Sequence, residues 1–297
     1  FLGMNYFIVS RGVSDGIERA SNILMPLLFV ILIAFCVRSL FLPGAKEGLS
    51  FLFQPDFSKI DSGVVLRAMG QAFFSLSLGM GTLITYASYF SDKTSLPKTA
   101  VTVASLDTFV AVLAGVIIFP AVFSFGISPS QGPELIFITL PNVFQQIPGA
   151  YIWSVLFFVL ITVAALTSTI SLCEVAIAFL HEEFHFTRRR ASQILIFICL
   201  VMSTLCSLSF GPLSDFYILG FSIFNFCDFL ASNILLPAGG MLISIFVGWK
   251  LDRQFIKEEL SNHGVSRVWY FGILMFCMRF VAPVAIFLIF LSGLGLF

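Results

Sequence analysis

Charge is scarce in this sequence. Asp, Glu, Lys and Arg make up 11% of its 297 residues and cancel to a formal net charge of zero. With no basic surplus there is no electrostatic footprint for nucleic acid, and nucleic acid is excluded as a partner. Cysteine is sparse as well. The six thiols (Cys36, Cys173, Cys199, Cys206, Cys227, Cys277) all fall in apolar runs, and no C-x-x-C occurs. They read as packing residues and point to neither a metal site nor a redox compartment. No low-complexity linker or short tandem repeat divides the chain, so neither a solenoid nor a string of domains is expected.

What the chain has is apolar length. Hydrophobic residues make up 58% of it. A membrane-crossing helix needs about 20 apolar residues. Runs of that order occupy 20–42, 66–90, 99–125, 151–180, 192–210, 216–249 and 268–297. The expected fold is therefore an all-α, polytopic membrane protein, one transmembrane domain over 1–297 with about seven complete spans. Residues 1–10 form an apolar run too short to span and read as the end of one more helix. Since the chain opens on Phe1, it reads as N-terminally incomplete.

Lys and Arg set the orientation. Eleven of the sixteen (Arg11, Arg19, Lys93, Lys98, Arg188, Arg189, Arg190, Lys250, Arg253, Lys257, Arg267) lie in loops on one side. Arg38, Lys46, Lys59 and Arg67 lie on the other, and Arg279 is within the last span. By the positive-inside rule the first side is cytoplasmic, which puts the C-terminus outside.

Within this apolar background one stretch, GQAFFSLSLGMGTLITYASY (70–89), breaks the pattern. Glycine in a helix interior costs roughly 1 kcal/mol relative to alanine, so Gly79-Met80-Gly81 invites a break at mid-membrane. Freed backbone groups are tolerated there only where they line a cavity or bind something. The competing reading is that small residues let another helix approach closely.

Three acids also lie inside apolar sequence: Asp107, Glu174 and Asp228. Structural hydrogen bonds to neighbouring helices are expected for Glu174 and Asp228. Asp107 differs, because TVASLDT surrounds it with small hydroxyl residues. In AALTSTISLCE, Ala164, Thr167 and Ser168 share one helix face, which Leu172 continues. Hydroxyls with freed carbonyls suit a hard cation such as sodium. Alternatively, the hydroxyls bond their own helix backbone.

HEEFH (181–185) formally matches the zinc-protease motif, with His181 and His185 as ligands and Glu182 as general base. It stands at a span end beside Thr187-Arg188-Arg189-Arg190, and the third histidine, His263, brings no further ligand motif. A solvated, charged helix end is the simpler expectation.

In order along the chain, these motifs resemble the neurotransmitter:sodium symporter family, bacterial amino-acid branch. RGVSDGIERASNILMP resembles the start of the family's fifth helix, with Gly16 and Pro26 as its hinge. The stretch at 70–89 resembles the sixth, broken helix, and GPELIFITLP the fourth external loop. AALTSTISLCE resembles the eighth helix and NILLPAGGMLISIFVGW the end of the tenth, so the chain corresponds to helices four to eleven. The resemblance implies an inverted-repeat sodium symporter fold with the break at Gly79–Gly81 as a hinge.

It also implies site residues. Phe74, Ser75, Ser77, Met80, Ser168 and Leu172 would line the substrate pocket, with Phe74 as a thin gate. Ser75 and Asp107 would bind one sodium ion, and Ala164 (through its carbonyl), Thr167 and Ser168 a second. Asp215 would belong to the external gate and Glu182 to the internal one. The implied function is sodium-coupled symport of a neutral amino acid by alternating access, with aromatic or large aliphatic side chains as the expected class. No catalysis follows, and no cofactor beyond Na+ as coupling ion. The expected partners are the amino acid, sodium and the lipid bilayer, and the expected location is the bacterial inner membrane. A membrane zinc metalloprotease and a non-transporting membrane fragment are the alternatives.

Overall fold

The computed structural model describes residues 1–91, 93–126, 149–262, 264–265 and 267–296. GPELIFITLP (132–141) and His263 lie outside the described residues. Six described helical segments are long and apolar enough to cross a membrane: Val13–Leu40, Leu96–Ser124, Ala150–Glu182, Arg188–Leu208, Ile223–Lys250 and Phe271–Gly293. Between 11% and 28% of the most apolar window in each is buried. The remaining faces carry Ile, Leu, Val and Phe. An apolar exterior of this extent is stable against lipid and not against water.

The expected run at 66–90 is not a continuous span. It forms two short helices, α4 (Ser62–Ser75) and α5 (Thr82–Ala87), separated by six non-helical residues, 76–81. The run at 216–249 starts differently too. Tyr217–Ile218 and Phe221–Ser222 pair as an antiparallel hairpin, with Leu219 (φ 51°) and Gly220 (φ 86°) at its tip. Two positive φ values in a two-residue loop are what the right-handed twist of paired strands requires. Helix begins only at Ile223, capped by Ser222.

The chain divides into two compact units. One contains Gly3–Ser58 and Ser105–Ile170. Its helices are α1 (Leu2–Val9), α2 (Arg19–Leu40), α3 (Ala45–Phe53) and parts of α6 (Leu96–Ser124) and α7 (Ala150–Glu182). Its core joins Ile31, Leu32, Phe35 and Cys36 of α2 to Ile117 and Ala121 of α6 and Phe157 and Leu160 of α7. The Phe35 ring meets Trp153 and Phe157 edge-on, at 5.3 and 5.9 Å between centroids. Pro120, inside α6, cannot donate to the carbonyl four residues back, that of Val116. Ser39 Oγ supplies the missing donor at 2.7 Å. Gly16 sits in a π-helical turn, Val13–Glu18, that leads straight into α2, and Pro26 lies within that helix.

The other unit contains Lys59–Ala104 and Ser171–Phe297. Besides α4 and α5 it holds α8 (Arg188–Leu208), α9 (Ile223–Phe229), α10 (Leu236–Ile245), α11 (Arg253–Leu260), α12 (Phe271–Phe276) and α13 (Ala282–Gly293). Polar caps fix the helix starts. Asp61 accepts from Val64 N at 2.6 Å, and Asp252 from Gln254 N at 3.1 Å. Phe73, Leu236 and Ile286 form the core where α4, α10 and α13 meet, with Met80 and Met241 packed against it.

Candidate functional site

The break between α4 and α5 is held by a few turn hydrogen bonds. Ser77 N donates to Phe74 O at 3.0 Å and Leu78 N to Phe73 O at 3.1 Å, and the ladder resumes with Thr85 N to Gly81 O at 2.9 Å. Ser77 (φ 54°), Gly79 (φ 89°) and Gly81 (φ 78°) all take left-handed backbone. Glycine adopts that conformation without a Cβ penalty, whereas Ser77 does not, and such strained residues cluster at functional sites. Thr82, the first residue of α5, is buried, and its Oγ1 has no hydrogen-bond partner among the described residues.

Both sequence readings of Gly-x-Gly hold here. The helix is broken, and another helix also comes close. A Cβ on Gly79 would collide with the Leu236 carbonyl oxygen and lie 2.8 Å from Gly240 N, and one on Gly239 would lie 2.6 Å from Gly79 O. The bare Gly239-Gly240 step of α10 is thus the floor on which the break rests. Neither glycine was singled out from sequence, although PAGG in the tenth-helix motif was the signal available.

Two cavities flank this region. One of about 260 Å³ is lined by Ser77, Gly79 and Gly81 together with Gly240, Ser244 and Ile286. Phe74, Ser75 and Met80 do not line it, so it opens on the α10 and α13 side of the break. A second, of about 220 Å³, includes Phe74, Arg67 and Asn233. Phe74 is 51% exposed.

On α7, the carbonyl of Ala164 accepts from Thr167 Oγ1 at 2.9 Å and from Ser168 Oγ at 3.1 Å. Three oxygens of the predicted ion site therefore converge within one turn. They are also satisfying one another along the helix, as the backbone-bonding alternative expects. Thr169 Oγ1 next to them reaches Asn5 Oδ1 at 2.9 Å. Asp107 is half-buried in α6, and Leu172 is exposed on α7. Asp215 is exposed in the turn before the hairpin, and Glu182 is exposed at the last position of α7.

The intramembrane acids behave as polar structural groups, with one difference from expectation. Glu174 is fully buried and bound by Arg188 and Tyr89, whose hydroxyl donates at 2.8 Å. Asp228 accepts from Ser232 at 3.3 Å, four residues along the same segment, and among the described residues not from a neighbouring helix.

The zinc-protease alternative fails on geometry. Two histidines at i and i+4 share a ligand face only on a continuous helix. Here α7 stops at Glu182, and His185 has left-handed backbone (φ 54°). His181 Nδ1 is already engaged with Phe186 O at 2.7 Å. The helix stops there because Thr187 turns the chain and caps α8, accepting from Arg190 N.

The comparisons with known proteins agree with this architecture. Residues 1–297 match the sodium:neurotransmitter symporter family. An uncharacterised sodium-dependent transporter of Bacillus subtilis strain 168, YhdH, is 38% identical over 296 residues, covering 100% of this chain and 66% of that protein. One from Haemophilus influenzae is 39% identical over 298 residues, covering 99% of this chain and 64% of that protein. The crystal structure of MhsT in complex with L-phenylalanine superposes with a TM-score of 0.85 at 46% identity, over 98% of this chain and 66% of that one. The chain thus spans about two thirds of the length of these relatives. Its fold is that of an all-α, multi-pass membrane protein with an interrupted helix at residues 76–81. With every residue matched, and that helix broken where two left-handed glycines flank Met80, the chain belongs to the sodium:neurotransmitter symporter family.

Proposed function

We propose that the protein carries a neutral amino acid across the bacterial inner membrane, driven by sodium, by alternating access. The observation that carries this reading is the break at 76–81, which opens backbone groups in mid-span where lipid could not satisfy them. Its likeness to MhsT, captured with L-phenylalanine at 46% identity, supports an aromatic or large aliphatic substrate. Met80 fits that preference, because its flexible thioether packs against rings. In this reading Phe74, Ser75, Ser77, Met80, Ser168 and Leu172 surround the solute. Ser75 and Asp107 hold one sodium ion, and Ala164 O, Thr167 and Ser168 hold another. Asp215 and Glu182 serve the outer and inner gates, and Gly16, Pro26, Gly79 and Gly81 act as hinges. The whole chain acts as one transmembrane domain with its C-terminus outside.

Sodium enters the mechanism as a structural ligand. It prefers uncharged and anionic oxygens, which Thr167, Ser168 and Asp107 supply, and binding it orders the segment that shapes the substrate pocket. The test is uptake by the full-length protein in proteoliposomes. A sodium gradient should drive accumulation of L-phenylalanine, and tryptophan and leucine should compete. Uptake indifferent to sodium would refute the coupling, and no uptake under any gradient would favour a non-transporting role. Competition by glycine and alanine alone would refute the substrate class.

A further inference from the structure

Arg279 is the one charged residue in the span Phe271–Gly293. An arginine in such a position is costly unless it is paired or has a function. Its Nε donates to the Gly248 carbonyl, and its guanidinium carbon lies 5.6 Å from the centre of the Trp249 ring. Among the described residues, its two terminal nitrogens meet no acceptor.

The backbone around this side chain is shaped for it. Two π-helical turns, Phe246–Lys250 and Cys277–Val281, meet here, and π turns recur at functional sites. In the second turn the Ala282 N–H reaches back to Cys277 O and so passes over Met278. Pro283, next along, has no N–H for the carbonyl of Arg279. The two carbonyls left over are taken from across the interface, by Ser244 Oγ at 2.9 Å and Trp249 Nε1 at 3.2 Å. Gly248 makes the approach possible. A Cβ there would lie 3.0 Å from Met278 O and 3.1 Å from both Cα and Cγ of Arg279. The arginine stem therefore crosses a bare backbone, and its head is pinned on one edge only.

Trp249 and Lys250 end their span, and Trp269 and Tyr270 precede the other. Tryptophan, tyrosine and lysine mark the membrane–water boundary. The guanidinium lies beside Trp249, the direction in which a long basic side chain snorkels towards the headgroups. On the same span, Phe276 and Phe280 flank Arg279 in sequence and are 58% and 49% exposed, an apolar surface suited to acyl chains.

We propose that Arg279, held by Gly248 and Trp249, binds the phosphate of an anionic phospholipid. The free edge of the guanidinium offers paired N–H donors in the fork geometry that phosphate oxygens accept, while Phe276 and Phe280 carry the chains. Inorganic phosphate shares the headgroup chemistry but has no chains for those rings.

The test uses the full-length protein in nanodiscs of equimolar phosphatidylcholine and phosphatidylglycerol, followed by native mass spectrometry of the lipid retained on extraction. Phosphatidylglycerol should be enriched about fivefold, the preference one basic residue gives at a membrane surface. Arg279→Gln should abolish the enrichment, Arg190→Gln should keep it, and added inorganic phosphate should not displace the lipid. Equal retention of the two lipids, displacement by phosphate, or a folded Arg279→Gln with unchanged preference would each overturn the proposal. If Arg279→Gln does not fold, photoreactive phosphatidylglycerol on the wild type decides. Cross-links should map to peptides containing Trp249 or Phe280, and labelling confined to other spans overturns it.

Discussion

Arg188, the first residue of α8, closes on the fully buried Glu174 of α7 through both terminal nitrogens, with Nη1 to Oε1 at 3.0 Å. Tyr89 donates to the same Oε1. A charge removed from water in this way is stable only while it is paired. Arg188→Met should therefore destabilise the protein by about 3–5 kcal/mol, because it strands a buried carboxylate. Glu174→Gln should cost less, since the amide keeps an oxygen for Tyr89 and Arg188 retains some solvent. The double variant should recover much of the loss. Thermal unfolding in detergent, arranged as a double-mutant cycle, measures the coupling. Additive losses would mean that the pair is not energetically joined.

The broken segment gives a graded comparison. Gly79→Ala meets two penalties, a left-handed backbone and the Leu236 carbonyl, whereas Gly81→Ala meets only the first, its nearest neighbour being Val175 Cγ1 at 3.4 Å. Left-handed backbone costs a residue with a Cβ roughly 1–2 kcal/mol. Gly81→Ala should lose about that much in thermal stability, and Gly79→Ala distinctly more. Equal losses would show that α10 yields readily at Gly239-Gly240.

The break itself was legible in sequence because Gly-x-Gly interrupts an otherwise helical apolar run. What it rests on was not, since spacing along one segment says nothing about which distant glycines come to meet it. The same limit hid Arg188 as the partner of Glu174: fourteen residues and a chain reversal separate them, beyond any helix-face rule. The HEEFH pattern misled in the opposite direction. Its spacing assumes a helix, and Thr187 starts a new one too soon. The hairpin at 217–222 was lost inside an apolar run because its residues are themselves apolar, and only Gly220 marked the turn.

For the ion site proposed on α7, Thr167→Val keeps the branched shape and removes the oxygen that lies 2.9 Å from Ala164 O. Loss of that hydroxyl as an ion ligand should weaken sodium binding by about 1–3 kcal/mol, the scale of a lost buried polar contact. The sodium dependence of uptake by the full-length protein should shift to higher concentration by roughly tenfold or more, with little change in melting temperature. The helix bond to Ala164 is dispensable, because the main-chain ladder survives without it. A sodium titration that superposes on wild type, with stability lowered instead, would return Thr167 to a purely structural role.

The last prediction concerns Pro120 and Ser39. Pro120 deprives the Val116 carbonyl of its helical donor, and Ser39 Oγ donates to it from α2 at 2.7 Å, with Ile117 O a further 3.3 Å contact. Ser39 is buried in the apolar core beside Phe35 and Cys36, where no water replaces a lost donor. Ser39→Ala should therefore cost about 1–3 kcal/mol, the penalty for an orphaned buried acceptor. Pro120→Ala restores an N–H at the position that α6 lacks, so the carbonyl regains its own helix partner. In that background Ser39→Ala should cost clearly less than it does alone. A helix with both changes has the Val116 carbonyl satisfied internally, as a membrane interior demands. The four proteins compared by thermal unfolding give the coupling directly. If Ser39→Ala loses the same stability in both backgrounds, then Ser39 stabilises by packing alone, and the proline-freed carbonyl is satisfied by another donor.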